Sequence, residues 1–467
     1  MVPHHQGGGV MRADLLGDNI SGLAEALAAV DAADRALTSG LLRPQAADLT
    51  ELAEALLGSP LAARVAEAAE KAVAGAAGEE HFLALAAART ALCGSVHDAL
   101  LERVSAATGQ VIGTEADSLS TVDEVPNVLL AARSWLSDLV RAGWRGIDQD
   151  LVSGAAPVIS ALLPDPAVRR LAVLLDGFAA ELGASCPGSA LERVPARRWG
   201  DLWSRAMLLT VSVATPAIET VSGRLLPLGV DLHEHATAAQ AQVHAILEPA
   251  DGGPARLVRA SVSTPKPDTV IGAGIWQLLR PHLSLLAALG EGRSMDLTDM
   301  PITAEGDLIW QDEHARTGEP ADAFVTARVA LPTAISTPAA PLDRHPARLA
   351  VPVFLEGYTV DRAEDALTFT VAGYPLTVAA DRVPAAGPLT PEAVAASTAC
   401  LGLLRWDAGD FSLQPLAVET LARKKTVALH AGAWAGGTTD KVGAKAEKAA
   451  TDATAVLRER AGRLLRK

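Results

Sequence analysis

Aromatic side chains are scarce, at 3% of a 467-residue chain. A core that rings cannot fill must be built from Ala, Leu and Val, which favours closely approaching helices over an aromatic-filled sandwich. Cysteine is nearly absent. Cys93, Cys186 and Cys400 lie far apart and none forms a C-x-x-C pair, so free thiols are expected rather than a disulfide framework. Long apolar runs are missing as well. Although 49% of the residues are hydrophobic, the excess is mostly alanine, and no stretch reaches the roughly 18–20 uninterrupted apolar residues of a membrane-spanning helix. Met1–Val10 has neither the basic region nor the apolar run of a secretory signal, which predicts a cytoplasmic protein with no membrane contact. Residues 1–11 read as a disordered leader, and Met11 is an equally good start.

Signatures of catalysis are also lacking. No G-x-S-x-G elbow occurs, and Gly272-Ala-Gly274 is followed neither by the third glycine of a dinucleotide fingerprint nor by the Gly-Lys-Ser/Thr of a P-loop. That segment reads as a helix start or a turn. Cys93 and His97 are four apart on an expected helix, a spacing that shares a face, but amid Ala and Leu it reads as core packing rather than a nucleophilic dyad.

What is present divides the chain in two. Ile20, Leu23, Leu27, Val30 and Leu37 recur at helical spacing before Gly40, and Leu49, Leu52 and Leu56 continue the pattern to Gly58-Ser59-Pro60. There Ser59 can cap and Pro60 can open the next helix, whose stripe is Leu61, Val65, Ala68 and Ala72. Further helices are predicted at 79–107, 126–142, 147–163, 166–182 and 198–212, so 12–225 forms an all-helical domain, a bundle or an irregular solenoid. Near residue 225 the period changes from 3.6 to 2. Ala241, Val243, Ala245 and Leu247 alternate with Gln240, Gln242, His244 and Glu248, Ile246 being the one exception, Asp251-Gly252-Gly253 supplies a turn, and Val258, Ala260 and Val262 resume the alternation, which reads as a hairpin. A helix is expected at 274–289, strands at 307–313, 323–331, 349–356, 367–372 and 375–380, and a helix at 391–404. The fold class is therefore α+β and multidomain: the helical half, a mixed and mainly antiparallel β domain over 226–436 that could be a partly closed barrel, and a basic C-terminal helix over 437–467.

Three clusters are candidate sites. Asp231-Leu-His233-Glu-His235 lies on an expected strand, where residues two apart share a face. Asp231, His233 and His235, with His244 nearby, could offer a carboxylate and imidazoles to zinc or another divalent metal in a metal-dependent enzyme. The competing reading places Val230 and Leu232 inward and leaves all three in solvent, with no cofactor. Trp199 and Trp203, with Arg198 and Arg205, share a helix face and could anchor a protein partner. Otherwise the tryptophans fill the seam between the two halves. Charge is uneven: 6 basic against 13 acidic residues over 11–100, a net of −7, but 11 against 4 over 423–467, a net of +7. Lys441, Lys445, Lys448, Arg458, Arg460, Arg463, Arg466 and Lys467 could therefore meet an anionic partner, including a nucleic acid through the tail and the β domain, or form a solvated face.

The segment Arg198-Trp-Gly-Asp201-Leu-Trp203-Ser-Arg205-Ala-Met207-Leu-Leu209 resembles uncharacterised actinobacterial proteins encoded beside a MoxR-type AAA+ ATPase, a von Willebrand A protein and a SWIM zinc-finger protein. The resemblance implies an accessory component of an ATPase-driven complex whose nucleotide and metal chemistry resides in its partners. With no catalytic signature in the chain, the expected function is a non-catalytic scaffold or adaptor in a cytoplasmic multiprotein system.

Overall fold

Alanine lets the helices of the N-terminal half lie close. The computed structural model describes residues 11–42, 44–113, 127–211, 218–235, 238–280, 283–363, 366–422 and 424–464. After Met11, which is itself buried, come α1 (Leu23–Ser39), α2 (Ala46–Glu54), α3 (Ala62–Val73) and α4 (Glu79–Thr108). A short strand, β1 (Val111–Ile112), precedes α5 (Asn127–Ala142), α6 (Gln149–Ser153), α7 (Ala155–Leu162), α8 (Arg169–Ala184) and α9 (Ala196–Leu209). Ala29, Ala33 and Ala36 of α1 and Ala86 and Ala88 of α4 sit in one core with Phe82, Trp135, Trp144, Phe178, Trp199 and Trp203. The few rings in this half are thus concentrated, with Trp144 meeting both Phe178 and Trp199 edge to face. Gly40 closes α1 with φ 98°. A Cβ on Gly143, itself at φ 72°, would lie 2.4 Å from the Gly40 nitrogen, so these two helix ends meet backbone to backbone.

The helix α4 runs through both halves. Phe82 to Cys93 belong to the helical core, whereas Val96, Leu100, Val104 and Ala107 pack, with Met11, Ala13 and Leu16, into the core of the β half.

The β half begins with β2 (Ile218–Glu234), β3 (Ala238–Pro249) and β4 (Arg256–Pro265), then α10 (Gly274–Leu279), α11 (Leu283–Glu291), β5 (Arg293–Thr303), β6 (Asp307–Leu308) and β7 (Ala315–Pro320). The expected hairpin is the β3–β4 pair. Because β4 pairs β6 and β6 pairs β5, the circuit β4-β3-β2-β5-β6 closes into a small barrel. Beyond it lie α12 (Ala323–Val329), β8 (Ile335–Ser336) and a second sheet. That sheet contains β9 (Val351–Glu356), β10 (Thr359–Arg362), β11 (Leu367–Val371) and β12 (Tyr374–Val378), then, after α13 (Pro391–Ala395), β13 (Ser397–Asp407), β14 (Asp410–Ala422) and β15 (Lys425–His430). Its order is β10-β11-β12-β14-β13-β9, with β15 added to β14. The helix α14 (Lys441–Leu464) ends the described chain. The architecture is the expected α+β one, with helices first, sheets second and a C-terminal helix.

Several elements differ from their sequence reading: the strand expected over 307–313 is confined to β6, and β2 begins at Ile218, inside the expected all-helical 12–225. Residues 323–331 hold a helix, not a strand, because the Asp322 carboxylate accepts from the Phe324 and Val325 amides and caps a turn that Ala327 and Arg328 continue. Residues 391–404 are helical only to Ala395. From Ser397 the chain is a strand flanked on both edges, by β9 and β14, and buried on both faces along most of its length. A strand covered on both sides loses the alternation that would mark it.

Candidate functional site

Asp231 on β2 is 3% exposed. Its strand face points out of the barrel, as the alternation predicts, but the second sheet covers it. Arg405 on β13 donates from Nη2 to Asp231 Oδ2 at 2.5 Å, and Gln414 on β14 donates from Nε2 to Oδ1 at 2.8 Å. Arg405 Nε donates to Gln414 Oε1 at 2.5 Å, closing a ring of three side chains, while His233 Nε2 stands 3.0 Å from Asp231 Oδ2. Burial would raise the Asp231 carboxyl, but the hydrogen bond from His233 and the charge of Arg405 outweigh it and hold the group well below the usual carboxylate range.

The four candidate metal ligands do not come together as one set. His235 is exposed beyond the end of β2, and both Asp231 oxygens are engaged. His244 lies on β3 opposite Gly229, 2% exposed, its Nε2 without a hydrogen-bond partner. Burial, reinforced by the charge of Arg259, pushes it down to about 3. Among the described residues no three His, Cys, Asp or Glu side chains are grouped to hold a metal ion. Cys93 is buried, which pushes its thiol up to about 11, and His97 is turned to Asp98 at 3.0 Å.

The tryptophan cluster is a correction. Trp199 and Trp203 are each 1% exposed and belong to the helical core rather than to the seam or the surface. Trp203 Nε1 donates to the Leu136 carbonyl at 3.1 Å. Both rings are thus enclosed, while Arg198 is bound to Glu181 of α8 and Arg205 reaches Asp201 and Asp343.

The tail helix is docked by its first half only. A Cβ on Gly274 would lie 2.3 Å from the Ala450 Cβ, Gln277 Nε2 donates to the Glu447 carbonyl, and Arg280 pairs with Glu447 at 2.8 Å. The Gly272-Ala-Gly274 segment is therefore a helix start, and its second glycine is the seat of α14. Lys441, Lys445, Lys448, Arg458, Arg460 and Arg463 are exposed, and Arg466 and Lys467 lie outside the described residues. Gly274→Val should release α14 while the remainder stays folded. Trypsin would then cut between Lys441 and Arg463 several-fold faster than in the wild type, and equal rates would refute this seating.

A site that the sequence reading passed over lies at the edge of the second sheet. On one side β9 pairs β13. On the other, Gln110 Nε2 donates to the Pro352 carbonyl at 2.8 Å, which shows that Pro352 points its main chain away from β13. By the two-residue period of a strand, Phe354 and Glu356 point the same way. Among the described residues no main-chain group pairs with that edge. Proline suits it, having no N–H to leave unpaired. A groove of about 520 Å³ runs alongside, lined by Phe354 and Glu356 and by Met11, Gln110, Val329 and Leu331. Arg328 lies over the Phe354 ring at 4.9 Å and is held between Glu419 at 2.6 Å and Glu356 at 3.3 Å. Val329 is 72% exposed at its rim.

No protein family, curated protein or solved structure matches the chain. No helix among the described residues is long and apolar enough to cross a membrane. The strand holding Pro352 was legible from sequence, and a proline inside it was the signal of an edge. The groove was not, since Met11, Gln110 and Leu331 are brought together only by tertiary packing.

Proposed function

We propose that the protein is a non-catalytic adaptor that captures an extended polypeptide segment along β9. The observation that carries this reading is the unpaired edge at Phe354 and Glu356 opening onto an apolar groove. An added strand would gain main-chain hydrogen bonds from that edge, and its alternate side chains would enter the groove past Val329 and Leu331. The two carboxylates that hold Arg328 over Phe354 keep this wall rigid, which lowers the ordering cost of binding. The resemblance carried by Arg198–Leu209 would place the captured segment in a component of an ATPase-driven complex.

The test uses extended peptides selected on the native protein from a random library. They should slow amide exchange at Phe354 and Glu356. Glu356→Pro removes one outward N–H without touching the β13 ladder, and should weaken these peptides about tenfold, from roughly 1 kcal/mol for the lost bond and some added strain. Glu356→Gln should bind almost as the wild type does. Selected peptides that leave both amides unprotected, or that bind Glu356→Pro unchanged, would refute the reading.

A further inference from the structure

Where the two halves meet, one carboxylate is shared among three guanidinium groups. Asp343, in the turn Pro341–Asp343, accepts from Arg170 of α8 at 2.8 Å, from Arg348 at 2.8 Å and from Arg205 of α9 at 3.5 Å. Arg170 and Arg348 are about half exposed, and each engages Asp343 through a single terminal nitrogen. Arg205 is 7% exposed and is poorly satisfied for a buried charge. Its nearest contacts are Asp343 and Asp201, at 3.5 Å and 3.3 Å, and its Nε–H has no partner. Two carboxylates against three arginines leave an excess of positive charge. The neighbouring carboxylates do not cancel it, because Asp34 is taken by Arg89 and Asp98 by His97 and Arg344. His345, beside this cluster, stays neutral, burial pushing it down to about 4.

We infer that this seam is a binding site for a phosphoryl group, gripped by Arg170, Arg205 and Arg348. A carboxylate has two oxygens and cannot satisfy three guanidinium forks, whereas a tetrahedral dianion presents enough acceptors for all of them. The three arginines come from both halves of the molecule, so the bound anion ties α8 and α9 to the turns at Pro341–Asp343 and Pro346–Arg348. The inference does not rest on the β9 groove.

Titration of inorganic phosphate into the full-length protein at constant ionic strength, followed by calorimetry and phosphorus-NMR line width, should show saturable binding that chloride does not reproduce. Arg170→Ala and Arg348→Ala should each weaken it about tenfold, and Asp343→Asn, which removes the competing carboxylate, should strengthen it by a similar factor. Glycerol phosphate in a second arm separates the sources: a free-phosphate site excludes the ester, and a phosphomonoester site binds it more tightly. Two results would overturn the inference. One is the absence of saturation in the wild type. The other is unchanged phosphate affinity in a natively folded Arg170→Ala/Arg348→Ala double variant.

Discussion

Arg89→Ala is expected to lower stability by roughly 3–5 kcal/mol, the cost of leaving one partner of a buried ion pair alone. Arg89 on α4 and Asp34 on α1 are 2% and 3% exposed, joined by two bonds of 2.7 Å and 3.1 Å. Arg89 Nη2 also donates to the Arg197 carbonyl at the start of α9. Three helices therefore converge on one guanidinium. The third lies so near that a Cβ on Gly200 would come within 2.3 Å of the Asp34 carboxylate. Alanine at 89 strands that carboxylate in an apolar core and releases the α9 carbonyl. The test that separates charge from packing is the double replacement Asp34→Leu/Arg89→Met, which removes both charges and keeps most of the volume. Urea denaturation should place it far closer to the wild type than either single variant. A double variant as unstable as Arg89→Ala would show that shape, not the stranded charge, dominates.

The second large effect is a loss of stability in mild acid. His244 is buried and held near 3, against 6.5 in the unfolded chain. Between those values the unfolded chain takes up a proton that the folded chain refuses. Stability must then fall as pH drops from about 6.5 towards 3, by an amount on the order of a few kcal/mol. Asp231 acts lower down. Its folded carboxyl is depressed, so its contribution is complete above the unfolded value of about 3.9 and is lost only as pH falls below that. Thermal melts of His244→Leu at pH 7 and pH 4.5 should differ less than those of the wild type, the remaining difference coming from His345, which burial also holds down, to about 4. An unchanged difference would mean that another group governs the acid response.

The helices and the β3–β4 hairpin could be read from sequence because each has one buried face and one wet face, and periodicity reports that contrast. Asp231 marks the limit of such reading. Alternation placed it correctly on the outward face of β2, yet that face meets Arg405 and Gln414, more than 170 residues away in the chain. Periodicity says which way a side chain points and is silent on what arrives to cover it. Trp199 and Trp203 were misplaced for a related reason: shared spacing gives a common face, but whether that face meets a partner, a seam or a core depends on α5 and α8. The run 391–404 was misread because Ala399, Leu401 and Leu403 have buried neighbours on both faces. The edge status of β9 depends on strand order, and only Pro352 hinted at it.

The course of α4 through both cores bears on how the chain comes apart. A fragment cut near residue 225 would carry Val96, Leu100 and Val104 with nothing to shelter them, and the complementary piece would have lost the wall they provide. Neither is equipped to stand alone. Heating should accordingly give a single calorimetric peak, and mechanical or proteolytic damage to either end of this one helix should be felt across the whole molecule.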